Sequence, residues 1–295
     1  MLSIIRRIAF CLALIRAIAL VDAGETVRIT TWNLEWFPDK SSRPVPPEQE
    51  AQNITAAADV LRKTDSDILL LQEVRDYDVC QRLADAIKPH AYQVAICSAF
   101  KEPFQSGLGR QQVAILAKES AQAAWAERWK SMSGVDPPRG FAFAWFKVKG
   151  LDVGVYSLHL KSNLVTRGNK AEEEAKNIRK REVAAGQLLD HMRDVIATAM
   201  PTVHSIIVGG DFNTNREQSM FAAEETLGII EKSGFQNCMG SLPLMQRVTH
   251  PANHGFPPAT FDYLFIRGAT IGPPIINVSD VSDHYPVTCD ITIQK

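Results

Sequence analysis

Apolar positions recur along the chain in two modes. Short β-branched or aromatic runs read as strands, and stretches with three-to-four-residue spacing read as helices. Residues 27–36 (VRITTWNLEW) predict a strand, with Asn33 and Glu35 on one face and Trp32, Leu34 and Trp36 on the other. Residues 67–74 (DILLLQEV) hold a continuous apolar run, which predicts a buried strand delivering Glu73 to its end. Further strands are expected at 92–98, after a glycine turn and Arg110 within 107–116, and at 141–148 and 151–160, where Lys149-Gly150 marks a hairpin. The pattern continues with SIIVGGDFNTN at 205–215, ATFDYLFI at 259–266, a short stretch at 275–278 and a last strand from Tyr285. Helical spacing appears at 48–63 (Ile54, Ala57, Ala58, Leu61), 76–88 (Val79, Leu83, Ile87), 171–199 and 219–231. Hairpins interleaved with helices, without a repeat or low-complexity linker, predict one domain: two packed β-sheets with helices outside.

Polar residues interrupt these runs at recurring places. In residues 205–215, Asp211 and Asn213 leave the strand the same way, and Gly209-Gly210 would clear space for a ligand. Gly, Asp and Asn are also ordinary turn residues, so this stretch taken alone reads first as a strand-to-turn junction. Glu73 is either solvent-facing or held by a metal. His159 shares a face with Val153, Val155 and Ser157; one histidine on a strand is more often structural than catalytic. Asp262 falls mid-strand between Phe261 and Tyr263, where an unpaired acid would be costly. Asp283-His284 precedes the last strand, and Arg139 precedes the first hairpin strand. Eight such residues beside apolar strands (Asn33, Glu73, His159, Asp211, Asn213, Asp262, Asp283, His284) are hard to explain independently. A zinc pair of His250 and His254 is not expected, because Pro251 and Gly255 place them in a loop.

Composition narrows the function classes. The 295 residues are 45% hydrophobic and 22% charged with net charge −1, an ordinary globular balance that advertises no polyanionic partner. Residues 1–23 have a basic start at Arg6 and Arg7, an apolar run and a small-residue end, which predicts a cleaved export signal and a mature domain spanning 24–295. A secreted or periplasmic location follows, with no stable membrane association after cleavage. Cys80, Cys97, Cys238 and Cys289 remain; an oxidising compartment allows one or two disulfides in any of three pairings, and sequence neighbourhood favours Cys80–Cys97. No dinucleotide fingerprint, P-loop, G-x-S-x-G elbow or C-x-x-C pair occurs.

In order, TWNLEWF, LLLQEV, SLHLKSN, GGDFNTN, TFDYLF and SDHYPV make the chain resemble the endonuclease/exonuclease/phosphatase family, with its deoxyribonuclease I-like fold. The resemblance implies a four-layer α-β-β-α sandwich and metal-assisted in-line attack of water on a phosphodiester at the mouth between two mixed sheets. It implies Glu73 as principal Mg²⁺ ligand, with Mn²⁺ or Ca²⁺ as alternatives, Asn33 beside that metal, and Glu35 at a position acidic in some members. His284 would act with Asp262, Asp211 would orient or deprotonate the water, and Asn213 and His159 would donate to phosphate oxygens. Asp283 would assist at the metal or hold His284, and Arg139, Lys161 and Arg110 would contact phosphate. An exported, monomeric nuclease acting on DNA, or RNA, is the leading expectation. A phospholipid or small-molecule phosphoesterase is the alternative, and a non-catalytic binding module on the same fold is a third.

Overall fold

The computed structural model describes residues 24–101, 107–253 and 256–294. The export segment expected at 1–23, and the His254 and Gly255 of the loop reading, lie outside the described residues.

The first strand, β1 (Glu25–Phe37), leads through helix α1 (Pro47–Thr64) to β2 (Ile68–Val74), and β1 and β2 pair in parallel. Helix α1 starts where two prolines allow it, with Pro47 inside the first turn, and ends at Asp65 in the left-handed region. Helix α2 (Tyr77–Ala86) is capped by the Asp76 carboxylate, which accepts from Val79 N, and leads to β3 (Gln93–Cys97) and β4 (Gln112–Ala117). A second unit follows: β5 (Ala121–Arg128), then the hairpin β6 (Gly140–Val148) and β7 (Leu151–His159). Helix α3 (Lys170–His191), capped by Asn169, crosses over from β7 to β8 (Ser205–Asp211), again in parallel. Helix α4 (Thr226–Lys232), β9 (Gln236–Asn237), β10 (Asp262–Arg267), β11 (Thr270–Ile271), β12 (Ile275–Ile276) and β13 (Val287–Ile293) complete the chain.

Two mixed sheets result. One runs β11-β13-β1-β2-β4-β3 with β12 on β13; the other runs β5-β6-β7-β8-β10-β9. Trp32, Leu34, Leu69 and Leu71 of the first sheet bury against Ile54, Ala57 and Leu61 of α1 and Val79 and Leu83 of α2. On the far side, Ala184, Ala185 and Leu188 of α3 join the core containing Phe141, Phe143 and Tyr156. Each large apolar side chain fully buried in this way contributes about 1.5–3 kcal/mol. The layers are therefore helices, sheet, sheet, helices, as the motif order implies. Each sheet contains one parallel pair with a helical crossover, and the carboxyl ends of such pairs are where an α/β fold leaves room for chemistry.

Several expectations are corrected. β5 has no β-branched residue and escapes the strand pattern, though it pairs along its length with β6. The helical stretch expected over 171–199 is present, but it is composite: α3 to His191, the wider π-turn Met192–Ile196 and a last α-turn Ala197–Ala199. The one expected over 219–231 is a 3₁₀ turn, Ser219–Phe221, followed by α4. Asp262 opens β10 rather than sitting in its middle. The strict alternation expected for Asn33 and Glu35 is broken by a bulge, and Glu35 and Trp36 have φ of 53° and 48°.

The glycines of β8 clear space for protein, not for ligand. A Cβ on Gly209 would stand 2.5 Å from Leu70 Cδ1 of the opposite sheet. On Gly210, at φ +153°, it would stand 1.9 Å from the Leu158 carbonyl oxygen of β7. The four described cysteines are free thiols rather than disulfides. The neighbourhoods are nonetheless selective: contact with Cys97, together with burial, pushes the Cys80 thiol up, and Cys238 lies near Cys289. No helix among the described residues is long and apolar enough to cross a membrane.

Candidate active site

The site lies where the carboxyl ends of both parallel pairs meet. Asn33 and Glu73 come from the first sheet. The second supplies His159, Asp211 and Asp262, which stand side by side because His159 and Asp262 both register with Asp211. Asn33 joins the two sheets: its amide nitrogen donates to Glu73 Oε1 at 3.3 Å and to Asp211 Oδ2 at 2.9 Å. Its carbonyl oxygen faces away, accepting from Glu35 N at 3.0 Å, which fixes the amide's orientation. Glu73, on a left-handed backbone with φ 58°, also accepts from Trp36 N at 2.9 Å through Oε2.

Around Asp211 the polar groups are satisfied from within. Oδ1 accepts from Asn213 N at 2.8 Å, and Oδ2 accepts from Asn213 Nδ2 at 3.0 Å as well as from Asn33. Burial raises its pKa despite these donors and the nearby His284. His284 Nδ1 lies 2.7 Å from Asp262 Oδ2, so the fully buried carboxylate accepts the ring's Nδ1–H. Nε2 is left facing Asp211 Oδ2 at 3.8 Å and Asp283 Oδ1 at 4.0 Å. Burial disfavours the imidazolium, but Asp262 and Asp211 outweigh it and raise the His284 pKa. His159 is the opposite case. It lies 3.5 Å from Asp211 and 3.7 Å from Glu73, yet burial and the charges of Arg139 and His284 hold its pKa well below the usual value. Its ring is neutral at ordinary pH, and Nδ1 has no partner among the described residues.

Three residues expected to touch phosphate are engaged by the scaffold. Asn213 gives its second amide hydrogen to Leu160 O at 3.2 Å, so its amide positions Asp211 and has no hydrogen left for a phosphate. Arg139, at φ 65°, donates to His159 O, Leu160 O and Gln111 Oε1, which ties its guanidinium to the end of β7. Arg110 pairs with the buried Asp39, part of a cluster that includes Arg75. Lys161 fits a phosphate contact better: one donor goes to Ser162 O, and the ammonium is only partly buried. Burial and the neighbouring Arg139, Lys180 and Arg181 lower its pKa to about 8. At the rim, burial and the nearby Asp283 carboxylate raise the Glu35 pKa.

The sequence reading passed over the residues that hold these groups. Thr249 Oγ1 accepts from Phe261 N and Asp262 N, fixing the start of β10. Ser282 Oγ donates to Asn33 O and accepts from His284 N, while Trp32 Nε1 donates to His284 O. His250 contacts both Asp283 and His284. Thr249-His250 stands 12 residues before Phe261-Asp262, too far along an irregular loop for spacing to reveal.

The donors fit a hard divalent cation. Glu73 and Asp211 are bridged by one neutral amide, and among the described residues no lysine or arginine pairs with either. Two neighbouring carboxylates that face only the one charged imidazole of His284 leave negative charge for an oxygen-coordinated ion to neutralise.

A model of the endonuclease/exonuclease/phosphatase family matches residues 30–284. Among solved structures, a family protein from Leptotrichia buccalis is similar at 17% identity and TM-score 0.63, over 90% of this chain and 100% of that one. TDP2 from Caenorhabditis elegans is similar at 17% identity and TM-score 0.62, over 96% of this chain and 81% of that one. A mannosyl-6-phosphatase from Bacteroides thetaiotaomicron is similar at 16% identity and TM-score 0.62, over 90% and 100%. No curated protein matches the chain in sequence.

Proposed function

The chain belongs to the endonuclease/exonuclease/phosphatase family, and from that premise we propose that it is a divalent-metal-dependent phosphodiesterase acting on nucleic acid, DNA before RNA. The observation that carries the reading is the Asn33 bridge between Glu73 and Asp211, set beside the Asp262–His284 pair. Glu73, with Asp211 and the rim acids Glu35 and Asp283 at hand, would hold the ion. When bound, the ion supplies Lewis-acid polarisation of the phosphoryl group. Asp211, gripped by two amides, orients the attacking water and takes its proton, a role its raised pKa suits. His284, kept charged by Asp262, donates from Nε2 to the charge developing on the phosphoryl oxygens. Neutral His159 donates alongside, and Lys161 holds a phosphate at the rim.

Purified protein incubated with supercoiled plasmid and Mg²⁺ should yield nicked and linear forms, and chelator should abolish the reaction. If plasmid, single-stranded DNA and RNA all remain intact while a phospholipid or sugar phosphate is hydrolysed, the substrate class is wrong and the chemistry stands. If no phosphoester is cleaved, the hydrolase reading fails. We further propose that residues 1–23 are removed on export and that the domain 24–295 works as a monomer. Terminal sequencing of exported protein should start at Gly24, and its elution on size exclusion should match one chain.

A further inference from the structure

His250 stands beside this centre and has no part in the proposed hydrolysis. Its ring is fixed from both sides. Its backbone exchanges hydrogen bonds with Ala259, and Tyr285 N donates to Thr249 O, which locks this loop against the segment carrying Asp283 and His284. The ring lies edge-on to His284, with centroids 4.8 Å apart and planes at 75°, and against Phe261 at 5.6 Å. Nε2 is 3.8 Å from Asp283 Oδ2; Nδ1 is enclosed with no hydrogen-bond partner among the described residues. His284 Nε2 reaches Asp283 Oδ1 at 4.0 Å from the other side. One nitrogen of each imidazole and one carboxylate oxygen all lie within 4.8 Å of one another.

We propose that His250, Asp283 and His284 form a transition-metal site of the Zn²⁺ class, where a bound ion displaces the Nε2 proton of His284 to solvent, takes that phosphoryl-facing nitrogen and thereby inhibits hydrolysis. Two imidazoles and one carboxylate are a common zinc donor set, and three protein ligands leave a fourth position to water. Zinc bonds of about 2.0–2.2 Å place tetrahedral donors about 3.4 Å apart, so the side chains close by roughly an ångström when the ion enters. Mg²⁺ is a poor competitor here, because it prefers oxygen and sheds water reluctantly, whereas imidazole nitrogen favours Zn²⁺, Cu²⁺ and Ni²⁺. The Glu73–Asp211 acids differ in this respect, so ligand chemistry sorts the two kinds of ion. The partly exposed Asp283 gives the ion a path from solvent.

Occupancy does not depend on the proposed function; only the inhibitory consequence does. The test is calorimetric titration of the metal-free full chain with Zn²⁺ under excess Mg²⁺, with Co²⁺ absorbance as an independent readout. One ion per chain and a four-coordinate Co²⁺ spectrum are expected. His250→Ala and His250→Gln should each weaken binding by about 10-fold or more. They should raise the half-inhibitory Zn²⁺ concentration in parallel, each scored against its own Mg²⁺ rate. Circular dichroism of both variants identifies any loss of folding, and the glutamine variant keeps the site polar. Wild-type affinity in the folded variants would overturn the site. Unchanged inhibition despite weakened binding would overturn the blocking role. If no substrate is hydrolysed, the isotherms still decide the site while the hydrolase reading falls separately.

Discussion

At the scale of single residues, the centre depends on polar groups that hold one another. His284→Ala should lower phosphodiester hydrolysis by roughly 10²–10⁴-fold, the range for loss of a positioned acid or base, with the circular dichroism spectrum unchanged. Asn213→Ala should also reduce turnover, because Asp211 Oδ2 loses its Asn213 Nδ2 donor while the backbone N–H to Oδ1 remains, and substrate KM stays near wild type. A phosphate-binding role for Asn213 would instead show as a raised KM. The identities of these residues were legible in the sequence because each polar side chain abuts an apolar run. Their duties were not, since those depend on where each donor points. Arg139 could be recognised as a cation near a strand, but not as one bonded to the carbonyls of His159 and Leu160. Nor could sequence show that Glu35, Glu73, Arg139 and Asn213 all adopt left-handed backbone, with φ between 51° and 65°. That conformation costs a non-glycine residue about 1–2 kcal/mol, and it is concentrated where the site needs its side chains aimed.

At the scale of elements, close approach within and between the sheets sets the tolerances. Gly210→Ala would drive a Cβ into the Leu158 carbonyl and should cost about 3 kcal/mol or more, or prevent folding, in chemical denaturation. Gly209→Ala should cost about 1–3 kcal/mol, since it meets flexible leucine side chains instead of backbone. Helix α3 is fastened by a different device. The fully buried Arg181 donates to Glu224 Oε1 at 2.7 Å and to Lys161 O at 2.8 Å, linking the helix to the rim of the site. Arg181→Met should destabilise by about 3–5 kcal/mol by stranding Glu224, and adding Glu224→Leu should recover most of it. A double-mutant cycle in urea reads both. The strands with β-branched runs and the helices with apolar spacing were legible in the sequence. β5 was not, because its alanines carry no strand signal. Gly209 and Gly210 marked a special place without saying whether a ligand or the neighbouring strand filled it.

For the molecule as a whole, buried histidines set an acid limit, His191 alongside the neutral His159. His191 packs among Trp125, Phe141 and Phe143, its Nδ1 hydrogen-bonded with Tyr156 OH at 2.9 Å, and burial lowers its pKa below the usual 6.5. Below about pH 6.5 the unfolded chain therefore binds this proton more readily than the folded one, so stability falls as pH drops through that window and returns as pH rises. Urea midpoints across pH 5–7 should show a shallower decline in His191→Phe than in wild type. The layered architecture was readable from the order of elements, but the contact of the two sheets through Asn33 was not. That contact has a consequence for how the protein fails. The proposed activity is a coincidence signal: Asn33 and Glu73 arrive from early in the chain, Asp211 from the other sheet, and His284 from the segment leading to β13, which pairs back onto β1. A slip of the sheets too small to disturb either hydrogen-bond ladder would still uncouple Asp211 from Asn33. Heating should silence the enzyme before it melts, with hydrolysis vanishing at a temperature where the far-ultraviolet spectrum still reports both sheets intact.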